Sequence, residues 1–199
     1  MSTSPAIIAS GGANLASLCF ALDRLGHEAP VTEDAALIRD ASHVILPGVG
    51  AARDAMERLA KANLIDVIRD LRQPVLGICL GMQLLFTGSD EDDAACLDII
   101  PGRAQRFDGG PELPVPQMGW NQLRARGACQ LLSDVEDGAW AYFIHSFALP
   151  VGPYTRATTD YGSTFSSVVE QDNFFGTQFH PERSAGVGER ILENFLRIS

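Results

Sequence analysis

Apolar residues in the first half of the chain fall into two alternating kinds of run. Ala6-Ile7-Ile8-Ala9, Val44-Ile45-Leu46 and Val75-Leu76-Gly77-Ile78 are short and continuous, the pattern of strands buried on both faces. Between them the apolar positions recur three and four apart. Leu15, Leu18, Cys19, Leu22 and Leu25 predict an amphipathic helix, with Asn14 at the cap position after the turn Ser10-Gly11-Gly12 and Gly26 as the stop. Residues 51–60 and 64–71 predict two more helices, the second ended by Pro74. Short apolar strands separated by helices predict a parallel sheet covered on both faces.

The second half changes character. Gly, Pro and turn-forming residues crowd the stretch 101–127, and β-rich runs follow at Trp140 to Phe147, Thr164 to Glu170 and Phe174 to Phe179. Gln171-Asp172-Asn173 reads as the loop of a hairpin joining the last two. Ile191, Leu192, Phe195 and Leu196 give a final helix its apolar face. With no internal repeat and no linker, the expectation is a single domain over residues 1–199. Its class is α/β: a mixed, mainly parallel central sheet flanked by helices, with an additional antiparallel β portion.

Composition narrows the function classes. Fifteen Lys and Arg against twenty-five Asp and Glu give a formal charge of −10, which opposes the counterion release that drives binding to nucleic acid. Apolar runs are cut by Pro and Gly well short of the ~20 residues of a membrane span. The polar start shows no basic segment ahead of an apolar one, so a cytoplasmic location is expected. Cys19, Cys79, Cys96 and Cys129 form no CxxC pair and no disulfide framework, and neither zinc-ligand spacing nor H-E-x-x-H is present. No metal and no cofactor are expected. The acidic run Asp90-Glu91-Asp92-Asp93 reads, on charge alone, as a solvated loop.

One cysteine has a context that suggests chemistry. Gly77-Ile78-Cys79-Leu80-Gly81 follows a predicted strand and precedes the helix-like Met82 to Phe86, the layout of a nucleophile elbow with Cys in place of Ser. On such a turn the side chain is presented at a helix N-terminus, which favours the thiolate, and the Leu80 N–H is available to an oxyanion. The same five residues also fit a small buried cysteine between packing glycines. Of the four histidines, His27 and His43 precede strands without an acidic partner and read as loop or surface residues. His180 is followed by Pro181-Glu182, so a carboxylate can return to the far ring nitrogen and hold the tautomer. Pro47-Gly48-Val49-Gly50 offers flexible amides for a second oxyanion donor.

Taken in order, Pro47-Gly48-Val49-Gly50, Gly77 to Gln83 and Gln178-Phe179-His180-Pro181-Glu182-Arg183-Ser184 resemble the signatures of the class I glutamine amidotransferases. Gly12 to Ser17, Pro116 to Asn121 and Tyr142 to Phe147 are similar to segments of one branch, the glutaminase subunits of imidazole glycerol phosphate synthases. The resemblance implies that Cys79 attacks the side-chain amide of glutamine, with His180 as base and acid and Glu182 as its orienter. It implies an oxyanion hole from Leu80 and an amide of Val49-Gly50, and substrate contacts from Gly48, Gln83, Glu91 and the backbone of Ser146 and Phe147. It further implies a heterodimer in which ammonia passes to a separate cyclase subunit, with Gln117, Trp120, Asn121, Tyr142 and Arg183 near the docking face. The family usually carries His at the position of Gln117 and Tyr at that of Phe147. Two other readings keep part of this pattern: a glutaminase feeding another pathway, and a non-catalytic binding module.

Overall fold

The chain alternates as expected through its first half: β1 (Pro5–Ile8), α1 (Leu15–Arg24), β2 (Val31–Thr32), α2 (Ala35–Asp40), β3 (His43–Gly48), α3 (Ala52–Lys61), α4 (Ile65–Arg69), β4 (Val75–Cys79) and α5 (Leu80–Leu84). This computed structural model describes residues 4–9 and 15–199; the expected turn at Ser10-Gly11-Gly12, the Asn14 cap and the Gly12 to Asn14 part of the opening motif lie outside the described residues. The second half holds β5 (Phe86–Ser89), β6 (Ala94–Ala95), β7 (Ile100–Arg106), β8 (Gln117–Gln122), β9 (Arg124–Ala125), β10 (Trp140–His145), β11 (Phe147–Ala148), β12 (Thr155–Tyr161), β13 (Ser163–Gln171), β14 (Phe174–Thr177) and α6 (Ala185–Arg197).

Eight strands form the central sheet in the order β2-β1-β3-β4-β14-β13-β12-β9. The first five run parallel, and β13, β12 and β9 extend the sheet antiparallel. β1, β3 and β4 are apolar along their length because helices cover both faces. Ile38, Ala55, Leu59, Val67 and Ile68 of α2, α3 and α4 pack in one apolar cluster, and Leu18, Leu22, Ile191, Leu192 and Phe195 of α1 and α6 in the other. The remaining strands make a β10-β8 pair and a four-stranded sheet, β11-β7-β5-β6. Among the described residues, no helix is long and apolar enough to cross a membrane.

The hairpin β13–β14 turns at Asp172-Asn173, as Gln171 faces Phe174 across it. That hairpin returns β14 to the middle of the sheet, where Thr177 pairs with Ile78. Residues a hundred apart in sequence therefore leave neighbouring strand ends side by side.

Several expectations need correction. His43 is buried, not on the surface: its Nε2 meets the Ile198 carbonyl at 2.9 Å and its Nδ1 meets Ser42 Oγ at 3.0 Å. The helix after Cys79 begins at Leu80 and ends at Leu84, because Phe86 already opens β5 beside β7. The turn-rich stretch 101–127 contains β7, β8 and β9. In β7, Pro101 and Gly102 fall at a register shift between the Phe86–Ile100 and Gly88–Arg103 pairs, so the strand tolerates both. The acidic run is not a freely solvated loop. Arg103 bonds Asp90 and Asp93, Arg53 donates to the Asp92 carbonyl, and Glu91 accepts the Ala52 N–H at the start of α3 at 2.8 Å.

β3, β4 and α5 cross in close contact. A Cβ on Gly81 would stand 1.8 Å from the Leu46 carbonyl oxygen, one on Gly77 2.7 Å from the Met82 nitrogen, and one on Gly48 2.6 Å from the Gly81 nitrogen. Gly81→Ala should therefore lower unfolding stability by about 3 kcal/mol or more. Gly186→Ala on α6, where a Cβ meets nothing within 4 Å, should raise stability by about 0.5–1 kcal/mol. Urea unfolding of both variants checks the contrast; equal stabilities would show that the crossing is not tight.

Candidate active site

Cys79 ends β4 at φ 54, ψ −111, a backbone conformation that side chains rarely adopt. The three glycine contacts around it hold that turn, leaving the sulfur at the end of the sheet where β14 also stops. The chain then reaches His180, whose Nδ1–H donates to Glu182 Oε1 at 2.8 Å. The two side chains are 5% and 3% exposed.

This His-Pro-Glu turn is anchored by its neighbours. The His180 N–H donates to the Tyr142 carbonyl at 2.9 Å, Ser184 Oγ donates to the His180 carbonyl at 2.7 Å, and the Tyr142 N–H donates back to Ser184 Oγ at 2.9 Å. Gly188 lets α6 approach closely, since a Cβ there would lie 1.8 Å from the Pro181 carbonyl oxygen. Burial opposes a charge on His180, but hydrogen bonding and charge from Cys79 and Glu182 outweigh it and push the imidazole up to about 10. The ring therefore holds its proton at neutral pH.

A cavity of about 290 Å³ opens between these elements. That is close to the lower limit of the roughly 300–1,000 Å³ common for small-molecule sites. It brings together Cys79, Leu80, His180, Val49, Gly50, Gln83, Glu91, Ser146 and Phe147 from the sequence-derived set. Gly48 does not line it: it packs against Leu80 and Gly81 beneath the turn. Glu182 stands behind His180. At Gly50, φ is +91 and a Cβ would meet nothing within 4 Å, so this loop has room that the glycines of the crossing lack. The carbonyl oxygens of Ser146 and Phe147 are already engaged, the first by the Phe107 N–H at 3.0 Å and the second by Gln83 Nε2 at 2.8 Å.

Beside the cavity, β8 and β10 present an exposed apolar face. Trp120 pairs with Tyr142 across the strands, their rings 6.0 Å apart, and the Arg183 guanidinium lies 4.5 Å from the Tyr142 ring centre. Met118, Trp120 and Trp140 are 67%, 49% and 52% exposed. Two residues expected on this face differ. Gln117 is buried, 3% exposed, because β8 turns its first side chain inward, so in this chain the side chain does not reach the surface. Asn121 is tied to its own chain, donating to the Asp160 carbonyl and accepting the Gln122 N–H.

Three further residues at the site have roles that the sequence motifs do not reveal. Ser184 fixes the His180 turn. Gln178 is fully buried next to Cys79; the sequence places it at the head of the His180 motif but gives it no role. His145 is also buried, donating from Nδ1 to the Phe147 carbonyl at 2.8 Å, and burial pushes it down to about 4, so it stays neutral. Burial likewise pushes the Cys96 thiol up to about 11 and that of Cys129 up to about 12. Among the described residues no cluster of His, Cys, Asp or Glu is arranged to hold a metal ion.

Known proteins resemble this chain in sequence and in fold. The family model for the class I glutamine amidotransferases matches residues 10–198. The chain is 49% identical over 196 residues to the imidazole glycerol phosphate synthase subunit HisH of Xylella fastidiosa, covering 98% of each chain. It is 50% identical over 188 residues to that of Idiomarina loihiensis, covering 94% of each. Among solved structures, PurLQS from Thermotoga maritima superposes with a TM-score of 0.75 at 19% identity, covering 98% of both chains. A crystal structure of a glutamine amidotransferase gives 0.74 at 18% identity, covering 96% of both chains. At those identities the two structures speak for the fold alone.

His180 should remain an imidazolium at neutral pH and lose its proton only as pH rises through about 10. Nitrogen NMR shifts of the ring check this. Glu182→Gln removes one of the groups that hold the proton, so its titration should move to lower pH. A wild-type ring that titrates near the ordinary 6.5 contradicts the assigned electrostatics.

Proposed function

Because this chain belongs to the class I glutamine amidotransferase family, we propose that it is the glutaminase subunit of an imidazole glycerol phosphate synthase, hydrolysing glutamine and delivering the ammonia to a separate cyclase subunit. One observation carries the reading: near-half identity to HisH subunits over almost the whole chain, joined to a cysteine on a strained turn at the mouth of a cavity shared with a His–Glu pair.

The chemistry follows from the proton inventory. With a proton on His180 the ring is poised as the acid, and the Cys79 sulfur attacks the glutamine side-chain carbonyl as a thiolate. The oxyanion that forms faces the Leu80 N–H and an amide of the Val49-Gly50 loop. His180 gives its proton to the amide nitrogen, the C–N bond breaks, and ammonia leaves a glutamyl thioester. Water then attacks that thioester while the now neutral His180 takes its proton; collapse expels the thiolate and restores the ion pair, and the acid product ionises to glutamate. Glu182 orients the ring and supports its charge throughout. Gln83, Glu91 and the Ser146-Phe147 backbone hold the substrate.

Ammonia released to water would be protonated and lose its nucleophilicity, so the cyclase should seal the cavity mouth. The surface for this is the Trp120, Tyr142 and Arg183 face. Its exposed aromatic residues and stacked arginine are the residue types that dominate protein interfaces.

Two tests follow. An electrophilic glutamine analogue should modify Cys79, and Cys79→Ala should abolish glutamine-dependent synthesis by the mixed subunits while ammonia-dependent synthesis persists; loss of both contradicts the division of labour. Trp120→Ala should weaken cyclase binding by about 2 kcal/mol, roughly thirtyfold, in a titration. Phe20→Ala on α1, 63% exposed, should leave it unchanged; equal effects of the two would move the interface elsewhere.

A further inference from the structure

Beneath the nucleophile runs a chain of hydrogen bonds whose direction is fixed from one end. The Phe147 carbonyl can only accept. It takes Gln83 Nε2 at 2.8 Å and His145 Nδ1 at 2.8 Å, so both must present N–H groups to it. The second N–H of the Gln83 amide then donates to Gln178 Oε1 at 3.0 Å. With its oxygen engaged there, Gln178 turns its amide nitrogen to the Cys79 sulfur at 3.8 Å. None of these amides is free to flip without setting two acceptors or two donors against each other, with Gln178 fully buried and Gln83 and His145 nearly so.

The sulfur has a second polar neighbour of opposite preference. The Ile144 carbonyl oxygen lies 3.7 Å from it, where it accepts from the protonated thiol. Once the proton leaves, that carbonyl becomes repulsive and the Gln178 N–H becomes the attractive partner. We propose that Gln178 is a positioning residue for the nucleophile, holding an amide N–H toward the Cys79 sulfur in a direction set by Gln83 and the Phe147 carbonyl. The inference rests on the glutaminase reading for its meaning in turnover, and on geometry alone for its effect on the sulfur. Because Gln83 is both the holder of Gln178 and a wall of the cavity, a ligand bonded to Gln83 is also connected, through one amide, to the reacting atom.

The experiment compares wild type with Gln178→Met and Gln178→Glu in the full chain. Folding is verified by thermal melt, and the rate of Cys79 alkylation by iodoacetamide is followed against pH by peptide mass spectrometry. Gln178→Met removes the donor at nearly constant volume. Its alkylation at neutral pH should fall about tenfold, with the pH of half-maximal rate moved upward, and glutamine turnover should lose kcat while KM stays near wild type. Gln178→Glu has the same shape but sets a carboxylate oxygen against the sulfur and should be slower still. A purely structural amide would leave the pH profile of a folded Met variant unmoved, and that result overturns the proposal. Should the Met variant not fold, Gln178→Leu, which also lacks the donor and adds no charge, makes the same test. Iodoacetamide needs no glutamine pocket, so the two readings fail separately: a chain inert toward glutamine whose alkylation still depends on Gln178 sinks only the glutaminase assignment.

Discussion

The first turn of α5 comes so close to β3 that no side chain fits between them, and the rest of the site is arranged around that contact. The Leu46 carbonyl occupies the place where Gly81 would carry a Cβ, and Met82 does the same at Gly77. A short helix forced over the strand in this way can only begin from a reversed backbone, which is why Cys79 sits at φ 54 and why its sulfur stands clear of the sheet. α5 contributes five residues, all buried, so its main service is steric. The electrostatic help expected from a long helix N-terminus comes instead from neighbouring side chains.

Those side chains are placed by topology. β14 lies parallel to β4, and the two strands stop together, so the polypeptide leaving β14 passes the sulfur first with Gln178 and then with His180. β10 closes the other side: its Tyr142 carbonyl holds the His180 amide and its Ile144 carbonyl reaches the sulfur. The proposed nucleophile, its proton partner and the exposed aromatic face thus all meet at one strand, β10. Burial alone opposes a proton on His180, and its two close partners, Cys79 and Glu182, outweigh desolvation here.

Much of this was legible in the sequence, and the parts that were not have definite causes. The parallel strands β1, β3 and β4 are continuous apolar runs, and the glycines flanking Cys79 mark the elbow directly. β8 escaped because its polarity is inverted: Gln117 points inward while Met118 and Trp120 face outward, so the alternation reads as a turn-rich polar stretch. β7 carries Pro101 and Gly102 in a bulge and has few buried positions. The acidic run looked solvated because charge patterning cannot see Arg103, ten residues or more away, folding back onto Asp90 and Asp93. Gln178 and Ser184 are long-range donors and acceptors whose partners no local pattern names.

The conformation of Cys79 has a meaning beyond geometry. A β-carbon in that region of backbone space costs roughly 1–3 kcal/mol, and glycine would escape the cost there while fitting the same crossing. A lineage that kept this domain only as a scaffold would have a standing thermodynamic incentive to drift to glycine at position 79, since most of what a domain needs is to stay folded. A sulfur carried at that position is held against the gradient of stability, a cost that fits the role proposed for it.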